Sequence, residues 1–217
     1  MPEFRESIKG MTPYKPPLEG RASKGYLLLD FNEMTIEPSP KVKKALKDFI
    51  DSGRLQIYPE YGELDTKIAQ YAGVEQSQAM VVNGSDQGID VIMRAFLGIG
   101  DKVVIPTPSF AMFCQSAQIQ GAEILEPCYR QDLSFPVEEV LALIDTGVKL
   151  IVICNPNNPT GTAVSRQALL VILEQAMDAG VAVLHDEAYF EWSGITAKDL
   201  IDGFDNLFIS RTFSKQF

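Results

Sequence analysis

The last apolar segment of the chain is followed directly by residues that could do amine chemistry. Residues 207–210 have the composition of a buried strand, and Thr212, Ser214 and Lys215 come next. Open α/β sheets bind ligands beyond the carboxyl ends of their parallel strands. A lysine there could condense with an aldehyde cofactor while the hydroxyls hold its phosphate. An isolated Ser-Lys pair is more often a solvated surface feature, so this interpretation depends on the other segments.

A glycine-led segment, Gly84-Ser85-Asp86, follows another apolar run and opens a predicted helix. The free N–H groups and the dipole of a helix start attract anions, and glycine allows a close approach of the backbone. Serine and aspartate are also ordinary helix caps. Taken alone, this segment therefore fits capping at least as well as phosphate binding.

The loop at residues 155–161, Asn-Pro-Asn-Asn-Pro-Thr-Gly, directly follows a third apolar run. Two prolines and a glycine restrict its backbone, and Asn158 could both donate and accept hydrogen bonds. A plain turn would explain these residue types in general. It explains less well why so many of them follow a buried strand.

Asp186 ends a fourth apolar run, and Tyr189 lies three residues further on. An unpaired buried carboxylate is very costly, and a protonated ring nitrogen would supply the missing partner. Tyr189 could reach the same ligand, whereas Glu187 also suits an acidic helix start. Phe110 could cover a flat ring or simply pack in the core. We expect His185 to be a packed residue, because it points to the opposite side of the strand from Asp186.

The elements that must position these residues alternate regularly along the chain. Six apolar runs of strand length are separated by segments with apolar residues at helical spacing. This alternation predicts an α/β fold with a mostly parallel sheet between helices on both faces, an α/β/α sandwich. Ser39 and Ser165 are predicted helix caps. The predicted strands are residues 79–82, 102–105, 123–126, 150–154, 181–184 and 207–210.

Composition excludes several classes of function. The chain has 217 residues, an apolar content of 46% and a net charge of −10, which argues against nucleic acid as a main partner. Its one histidine and three scattered cysteines predict reduced thiols and no metal site. No apolar run approaches membrane-spanning length, and the start of the chain lacks the apolar centre of a signal peptide. We therefore expect a cytoplasmic protein that binds neither nucleic acid nor membranes.

Together, these motifs place the chain near a known family. From about Tyr14 onward it resembles the fold-type-I aminotransferases that use pyridoxal 5′-phosphate, most closely the histidinol-phosphate aminotransferases. The ordered set with these spacings is far more specific than any single motif. The motifs are residues 29–33 (LDFNE), 83–87 (NGSDQ), 155–161 (NPNNPTG), 186–189 (DEAY) and 211–215 (RTFSK).

The resemblance implies a role for each residue around the cofactor ring. Lys215 would bond to the cofactor aldehyde and later carry the substrate's α-proton. Asp186 would pair with the pyridinium nitrogen and keep the ring an electron sink. Asn158 and Tyr189 would donate hydrogen bonds to the ring's phenolic oxygen, and Phe110 would stack on the ring, where the family usually has tyrosine.

The resemblance also implies a phosphate site and a substrate side. The phosphate would be held by the backbone of Gly84, Ser85 and Asp86 and by the hydroxyls of Thr212 and Ser214. Tyr58 would reach the cofactor phosphate of the neighbouring subunit in a homodimer. Tyr14 and Glu33 would lie on the substrate side, where histidinol phosphate is the expected amino donor and 2-oxoglutarate the expected acceptor.

The domain organisation implied by the resemblance is an N-terminal arm at residues 1–35 and a cofactor-binding large domain at residues 36–217. Family members continue beyond the lysine, so we expect the C-terminal part of the large domain and the small domain to be missing from this chain. Gln87 stands where glutamate is commoner. Two alternatives stay open: another fold-type-I enzyme, such as an aromatic aminotransferase or a phosphoamino-acid decarboxylase, or a catalytically incomplete fragment.

Overall fold

The computed structural model describes residues 3–16 and 18–217, so residues 1, 2 and 17 of the predicted arm lie outside the described residues. The helices are Glu6–Lys9 (α1), Pro40–Asp51 (α2), Leu64–Ala72 (α3), Gly84–Phe96 (α4), Ala111–Gln120 (α5), Val137–Ile144 (α6), Arg166–Asp178 (α7) and Phe190–Ser193 (α8). Short 3₁₀ helices occur at Ala22–Lys24, Gln76–Gln78 and Lys198–Leu200. The strands are Lys102–Val104 (β1), Glu123–Leu125 (β2), Val148–Cys154 (β3), Ala182–Asp186 (β4) and Leu207–Ser210 (β5).

By internal contacts the chain divides into two compact units. The first contains Met1–Leu18 and Val82–Thr212, and the second contains Glu19–Val81 and Phe213–Phe217. The predicted boundary between an arm and a large domain at residue 35 stays a prediction.

The first unit is built on one parallel sheet in the order β2-β1-β3-β4-β5. Five of the six predicted strands form this sheet, at nearly the predicted bounds. Their long apolar runs are those expected of strands that are covered on both faces. At the carboxyl edge, Cys154 of β3 pairs with Asp186 of β4, which pairs with Ser210 of β5.

Two apolar cores cover the two faces of the sheet, which confirms the three-layer α/β/α prediction. Successive residues of a strand point to opposite faces, so each strand contributes to both cores. One core joins Ile151, Ile153 and Val183 to residues of α6 and α7. The other joins Leu150, Val152, Cys154 and Leu184 to residues of α4 and α5.

The predicted caps explain where two helices begin. The Ser165 hydroxyl accepts a hydrogen bond from Ala168 N at 3.2 Å at the start of α7. The Ser39 hydroxyl accepts from Val42 N at 3.3 Å, and Pro40 occupies the first turn of α2. Both serines satisfy an N–H group that has no partner inside the helix.

The predicted strand at residues 79–82 is wrong. In the described part of the chain these residues form no regular secondary structure and no strand pairing, and Met80 is 67% exposed. An apolar run becomes a strand only when a neighbouring backbone supplies hydrogen bonds. The Gly84 segment is therefore the first turn of α4, and no strand of the described chain precedes it directly.

The second unit contains α2 and α3 and has little buried apolar surface. No residue of α2 is buried, and Ala69 is the buried residue of α3. The ring centroid of Tyr71, in α3, lies 5.5 Å from that of Phe213 and 5.9 Å from that of Phe217, both in the last residues of the chain. No helix in the described part of the chain has the length and apolar character needed to span a membrane.

Candidate active site

Three polar side chains form a row across the carboxyl edge of the sheet. Cys154, Asp186 and Ser210 occupy paired positions on adjacent strands, so they point to the same face. Cys154 belongs to the core beneath α4 and α5, which identifies that face. Asp186 is therefore placed in the middle of the row, on the α4 and α5 side of the sheet.

Both oxygens of Asp186 accept hydrogen bonds from its neighbours in this row. The Ser210 hydroxyl donates to Oδ1, and the Cys154 thiol lies 3.6 Å from Oδ2. Asp186 itself is only 3% exposed. The side chain is thus held at both oxygens without help from solvent.

The electrostatics of Asp186 are those of a buried acid without a cation. Burial raises the pKa of the Asp186 carboxyl, and the hydrogen bonds from Ser210 and Cys154 offset only part of this effect. Among the described residues, none forms an ion pair with Asp186. A cationic ligand group would therefore find a carboxylate that the protein itself leaves uncompensated.

The opposite face of the same strands carries a buried polar network centred on His185. Asn155 Oδ1 accepts a hydrogen bond from Val164 N at 3.0 Å, which fixes the orientation of the amide. Asn155 Nδ2 then donates to His185 Nε2 at 3.2 Å, and His185 Nδ1 lies 3.1 Å from Glu187 Oε1. His185 is therefore the tautomer protonated at Nδ1, and the structure places it, as expected, on the other side of the strand from Asp186.

Glu187 is the anionic centre of this network. Its Oε1 accepts from Ala197 N at 2.6 Å, and its Oε2 pairs with Arg211 at 2.8 to 2.9 Å. Burial alone would raise the pKa of Glu187, but the hydrogen bonds from His185 and Ala197 and the charge of Arg211 lower it. Glu187 thus has the cation that Asp186 lacks.

Arg211 connects the network to the segment that follows β5. Its guanidinium lies 3.8 Å from the ring centroid of Phe190, and its Nη2 donates to Thr196 Oγ1 at 2.9 Å. Since Thr212 is the next residue, the network restrains the backbone of a predicted phosphate-binding residue.

Two loops at the carboxyl edge are linked by Asn157. Its Nδ2 donates to Pro108 O and to Thr160 Oγ1, both at 2.9 Å, and its Oδ1 accepts from Ser109 Oγ at 2.8 Å. The bonds to Pro108 and Ser109 hold the loop that carries Asn158 against the one that leads into Phe110, and the bond to Thr160 braces the first loop internally.

Phe110 and the Gly84 segment lie at the starts of the two helices on the Asp186 face. Phe110 directly precedes α5, is half-buried and packs edge to face on Phe113 at 5.8 Å. Gly84 opens α4 with a φ of 77°, a backbone conformation that favours glycine. Gln87 Oε1 accepts from Asn83 N at 2.5 Å and closes the turn. The structure thus places the predicted anion cradle and the predicted stacking ring above one face of the sheet.

The second unit brings Lys215 close to the predicted substrate-side segment. Lys215 Nζ donates to Phe31 O at 3.0 Å. Glu33 forms an ion pair with Arg21 at 2.8 Å, and Asp30 forms another with the same guanidinium at 2.6 Å. The hydrogen bond from Arg21 lowers the pKa of Glu33.

The other predicted site residues have the following surroundings. Tyr58 is 94% exposed and Tyr14 is half exposed. Tyr189 is partly buried just before α8, Thr212 is buried, and Ser214 is exposed. No group of three or more metal-ligating side chains occurs in the described ranges. The roles of these residues, and the predicted encounter of Lys215 with Asp186, stay predictions.

The prediction from sequence missed two sets of residues that shape the site. Ser210 and Cys154 were missed because their contact with Asp186 depends on which strands flank β4, and the sequence does not give the strand order. The hydrogen bond of Asn155 to His185 and the ion pair of Arg211 with Glu187 were missed for the same reason. The only local signal was that Ser210, a polar residue, ends an otherwise apolar run.

The sequence of the chain is similar to that of a known enzyme family. The profile of the family "Aminotransferase class I and II" matches residues 24–217. A histidinol-phosphate aminotransferase of Thermoanaerobacter pseudethanolicus is 37% identical over 216 residues, which are 98% of this chain and 60% of the relative. One of Bacillus subtilis is 36% identical over 228 residues, 99% of this chain and 62% of the relative. The chain thus spans about three fifths of the length of these curated relatives.

Solved structures show the same fold. The histidinol-phosphate aminotransferase of Clostridium acetobutylicum superposes with a TM-score of 0.70 and 25% identity, over 79% of this chain and 52% of that one. The enzyme of Sinorhizobium meliloti, solved in complex with pyridoxal 5′-phosphate, gives a TM-score of 0.80 and 21% identity, over 99% of this chain and 60% of that one.

Proposed function

The chain belongs to the class I and II aminotransferase family, and we propose that it acts as a pyridoxal 5′-phosphate-dependent aminotransferase. The observation that carries this proposal is the state of Asp186. It is a fully buried carboxylate at the carboxyl end of a central strand, and no ion pair compensates it within the described residues. The protonated ring nitrogen of the cofactor would supply the positive charge that this environment lacks.

Other candidate residues would bind the remaining parts of the cofactor: its ring face, its phosphate and its phenolic oxygen. Phe110 stands at the start of α5 on the same face and would lie against the flat ring. The first turn of α4, at Gly84, Ser85 and Asp86, would present backbone N–H groups to the phosphate, with Ser85 and Asp86 as the donors because Gly84 N donates to Val82 O at 2.9 Å. Thr212 and Ser214 would add hydroxyl donors, and Asn158 and Tyr189 would bind the phenolic oxygen.

When bound, the cofactor supplies an aldehyde that takes up the amino group and a ring that accepts the electrons released at the substrate's α-carbon. The residues of the chain supply orientation and proton transfer. Asp186 would keep the ring nitrogen protonated, and Lys215 Nζ would take up the proton from the substrate's α-carbon and later give it back. Both tasks require the amine and the carboxylate to lie at opposite ends of one ring.

For the substrates, we propose histidinol phosphate as amino donor and 2-oxoglutarate as acceptor. The names of relatives that are 36–37% identical support this choice. Tyr14 and Glu33 would lie on the substrate side. Tyr58, which is almost fully exposed, would reach the cofactor phosphate of a second subunit in a homodimer. We also propose that the protein works in the cytoplasm.

A half-reaction tests this function. The chain is loaded with pyridoxal 5′-phosphate, a panel of amino donors is added, and conversion of the cofactor from aldehyde to amine is followed by absorbance. Histidinol phosphate should convert it fastest, Lys215→Ala should abolish conversion, and Lys67→Ala should not change it. Faster conversion by an aromatic amino acid would refute the substrate, and absence of conversion by every donor would refute activity of this chain.

A further inference from the structure

The row of polar side chains at the sheet edge contains two residues to which the motifs assign no role. Ser210 and Cys154 flank Asp186 on the neighbouring strands, and each donates toward a different carboxylate oxygen. Ser210 is 7% exposed and Cys154 is 3% exposed, so water cannot replace either donor freely. Asp186 therefore depends on these two residues for its orientation.

We propose that Ser210 and Cys154 are positioning residues that hold the carboxylate of Asp186 ready for the ring nitrogen of the cofactor. This inference rests on the proposed function, because it assigns the ring nitrogen as the group that Asp186 meets. Each carboxylate oxygen has two lone pairs. One donor per oxygen fixes the plane of the carboxylate and leaves acceptor capacity for the ring N–H.

The two donors differ in strength. The Ser210 hydroxyl is directed to Asp186 Oδ1. The Cys154 sulfur lies 3.6 Å from Asp186 Oδ2 and 3.5 Å from Pro156 O, so its one proton is shared between two acceptors. Burial raises the pKa of the Cys154 thiol, which keeps that proton in place. Ser210 should therefore have the larger effect.

The charge of Asp186 depends on a small set of groups. Along the chain the flanking residues are the His185 imidazole, on the other face of the sheet, and Glu187, whose negative charge disfavours the charged carboxylate. On β3 and β5 the paired residues are Cys154 and Ser210, and both favour the charged form. Removing the Ser210 donor should therefore raise the pKa of Asp186 and reduce its readiness to bind a cation.

The test compares four variants of the full chain without cofactor. Ser210→Ala and Cys154→Ala remove a donor, whereas Ser210→Thr keeps the hydroxyl and Cys154→Ser replaces a weak donor with a stronger one. The pKa of Asp186 is read from its carboxyl carbon by NMR titration, and the unfolding midpoint of each variant is recorded. Binding of pyridoxal 5′-phosphate is then measured for the same proteins.

The pKa of Asp186 should rise in Ser210→Ala, rise less in Cys154→Ala, stay near the wild-type value in Ser210→Thr and fall in Cys154→Ser. The cofactor dissociation constant of Ser210→Ala should rise about tenfold or more, the effect of losing a hydrogen bond to a charged group. Cys154→Ser keeps the test decisive if Ser210→Ala does not fold. An unchanged pKa of Asp186 in the folded variants would overturn the inference. Shifted pKa values in proteins that all fail to bind the cofactor, wild type included, would refute the proposed function instead.

Discussion

At the scale of single residues, Asp186 is placed where stability and ligand binding make opposite demands. Burial raises its pKa because the folded protein favours the neutral acid. An unfolded aspartate loses its proton near pH 4, at about 3.9. Between that pH and the higher pKa of the folded state, the native chain holds the extra proton, so the contribution of Asp186 to stability is lost as pH rises through the folded pKa.

Asp186→Asn should therefore stabilise the cofactor-free chain at neutral pH and slow the transamination that we propose. Asparagine does not titrate, so the free energy of unfolding of the variant relative to wild type should increase from pH 4 to pH 8. Loss of the ion pair with the ring, worth about 3–5 kcal/mol, should slow transamination roughly a hundredfold to several thousandfold. Denaturant unfolding at several pH values and half-reaction rates measure the two effects. If the free energy of unfolding of wild type instead rose relative to that of Asp186→Asn as pH increased, this prediction would be contradicted.

Glu187 lies next to Asp186 but should behave in the opposite way. Its pKa is lowered, so its stabilising effect is present above the unfolded value near 4.3 and is lost as pH falls through the lower folded pKa. Glu187→Gln leaves Arg211 without its counter-charge in a site where the arginine side chain is 17% exposed. The free energy of unfolding at pH 7 should fall by about 3–5 kcal/mol.

The control for Glu187 is a nearby exposed pair. Arg166 Nη1 donates a hydrogen bond to the carbonyl oxygen of Thr196, and the guanidinium forms an ion pair with Asp199 at the surface. Asp199→Asn should cost less than about 1 kcal/mol, because exposed pairs are screened by solvent. Denaturant unfolding at pH 7 and pH 3.5 separates the two variants. Equal losses at pH 7, or a Glu187→Gln loss that does not shrink in acid, would contradict the assigned role of Glu187.

At the scale of elements, the site depends on how strand ends and loops are linked. Asn157 is almost fully buried and makes three hydrogen bonds, of which two join the loop after β3 to the segment before α5 and the third lies within its own loop. Asn157→Ala should lower the free energy of unfolding by about 2–3 kcal/mol, since each net hydrogen bond contributes about 1 kcal/mol. Because the same loops carry Asn158 and Phe110, cofactor affinity should fall as well.

Ser109→Ala is the matched comparison for Asn157, because it removes one of these bonds and leaves the other two. It should cost about 1 kcal/mol and affect cofactor affinity less. Thermal or denaturant unfolding, together with a cofactor titration, gives both values. If the two variants lose the same stability and affinity, Asn157 is not the link between the loops.

Individual strands and helix starts could be predicted from the sequence, whereas the order of the strands in the sheet could not. Apolar runs located five strands because each run is long enough to be buried, and Ser165 and Ser39 marked helix starts by their capping chemistry. Strand order is a long-range property that no local pattern reports. Ser210 and Cys154 could be recognised as neighbours of Asp186 only once β3, β4 and β5 were known to be adjacent. Residues 79–82 failed as a strand for the converse reason, because an apolar run needs a partner backbone.

At the scale of the whole molecule, apolar surface is distributed unevenly. The face of α2 formed by Val42, Leu46, Phe49 and Ile50 is exposed along its whole length. Exposed apolar patches of this kind are uncommon in soluble proteins and bind apolar ligands. The chain should therefore enhance the fluorescence of a hydrophobic dye under native conditions.

Leu46→Glu should reduce that dye fluorescence markedly, because it places a charge in the middle of the exposed face. Lys47→Gln changes the net charge by the same amount on the same helix and should leave the fluorescence nearly unchanged. Circular dichroism shows whether both variants stay folded. Equal fluorescence in wild type and Leu46→Glu would mean that the dye binds elsewhere.

The overall architecture was predictable because alternating strands and helices admit few arrangements. The family motifs proposed candidate site residues, whose roles stay predictions. The motifs could not show how the carboxylates of Asp186 and Glu187 are held. That depends on Ser210 and Cys154 on one face of the sheet and on the His185 network on the other. A carboxylate without a cation and a carboxylate with one lie side by side in the sequence, and only their three-dimensional partners distinguish them.

The central claim is that the Lys215 amine and the Asp186 carboxylate meet at opposite ends of one cofactor ring. A crystal structure of the chain with pyridoxal 5′-phosphate tests it most directly. We predict a ring nitrogen about 2.7–2.9 Å from an Asp186 oxygen, the distance of a charged hydrogen bond, and a bond from Lys215 Nζ to the aldehyde carbon. A cofactor bound away from Asp186, or attached to a different lysine, would contradict the account.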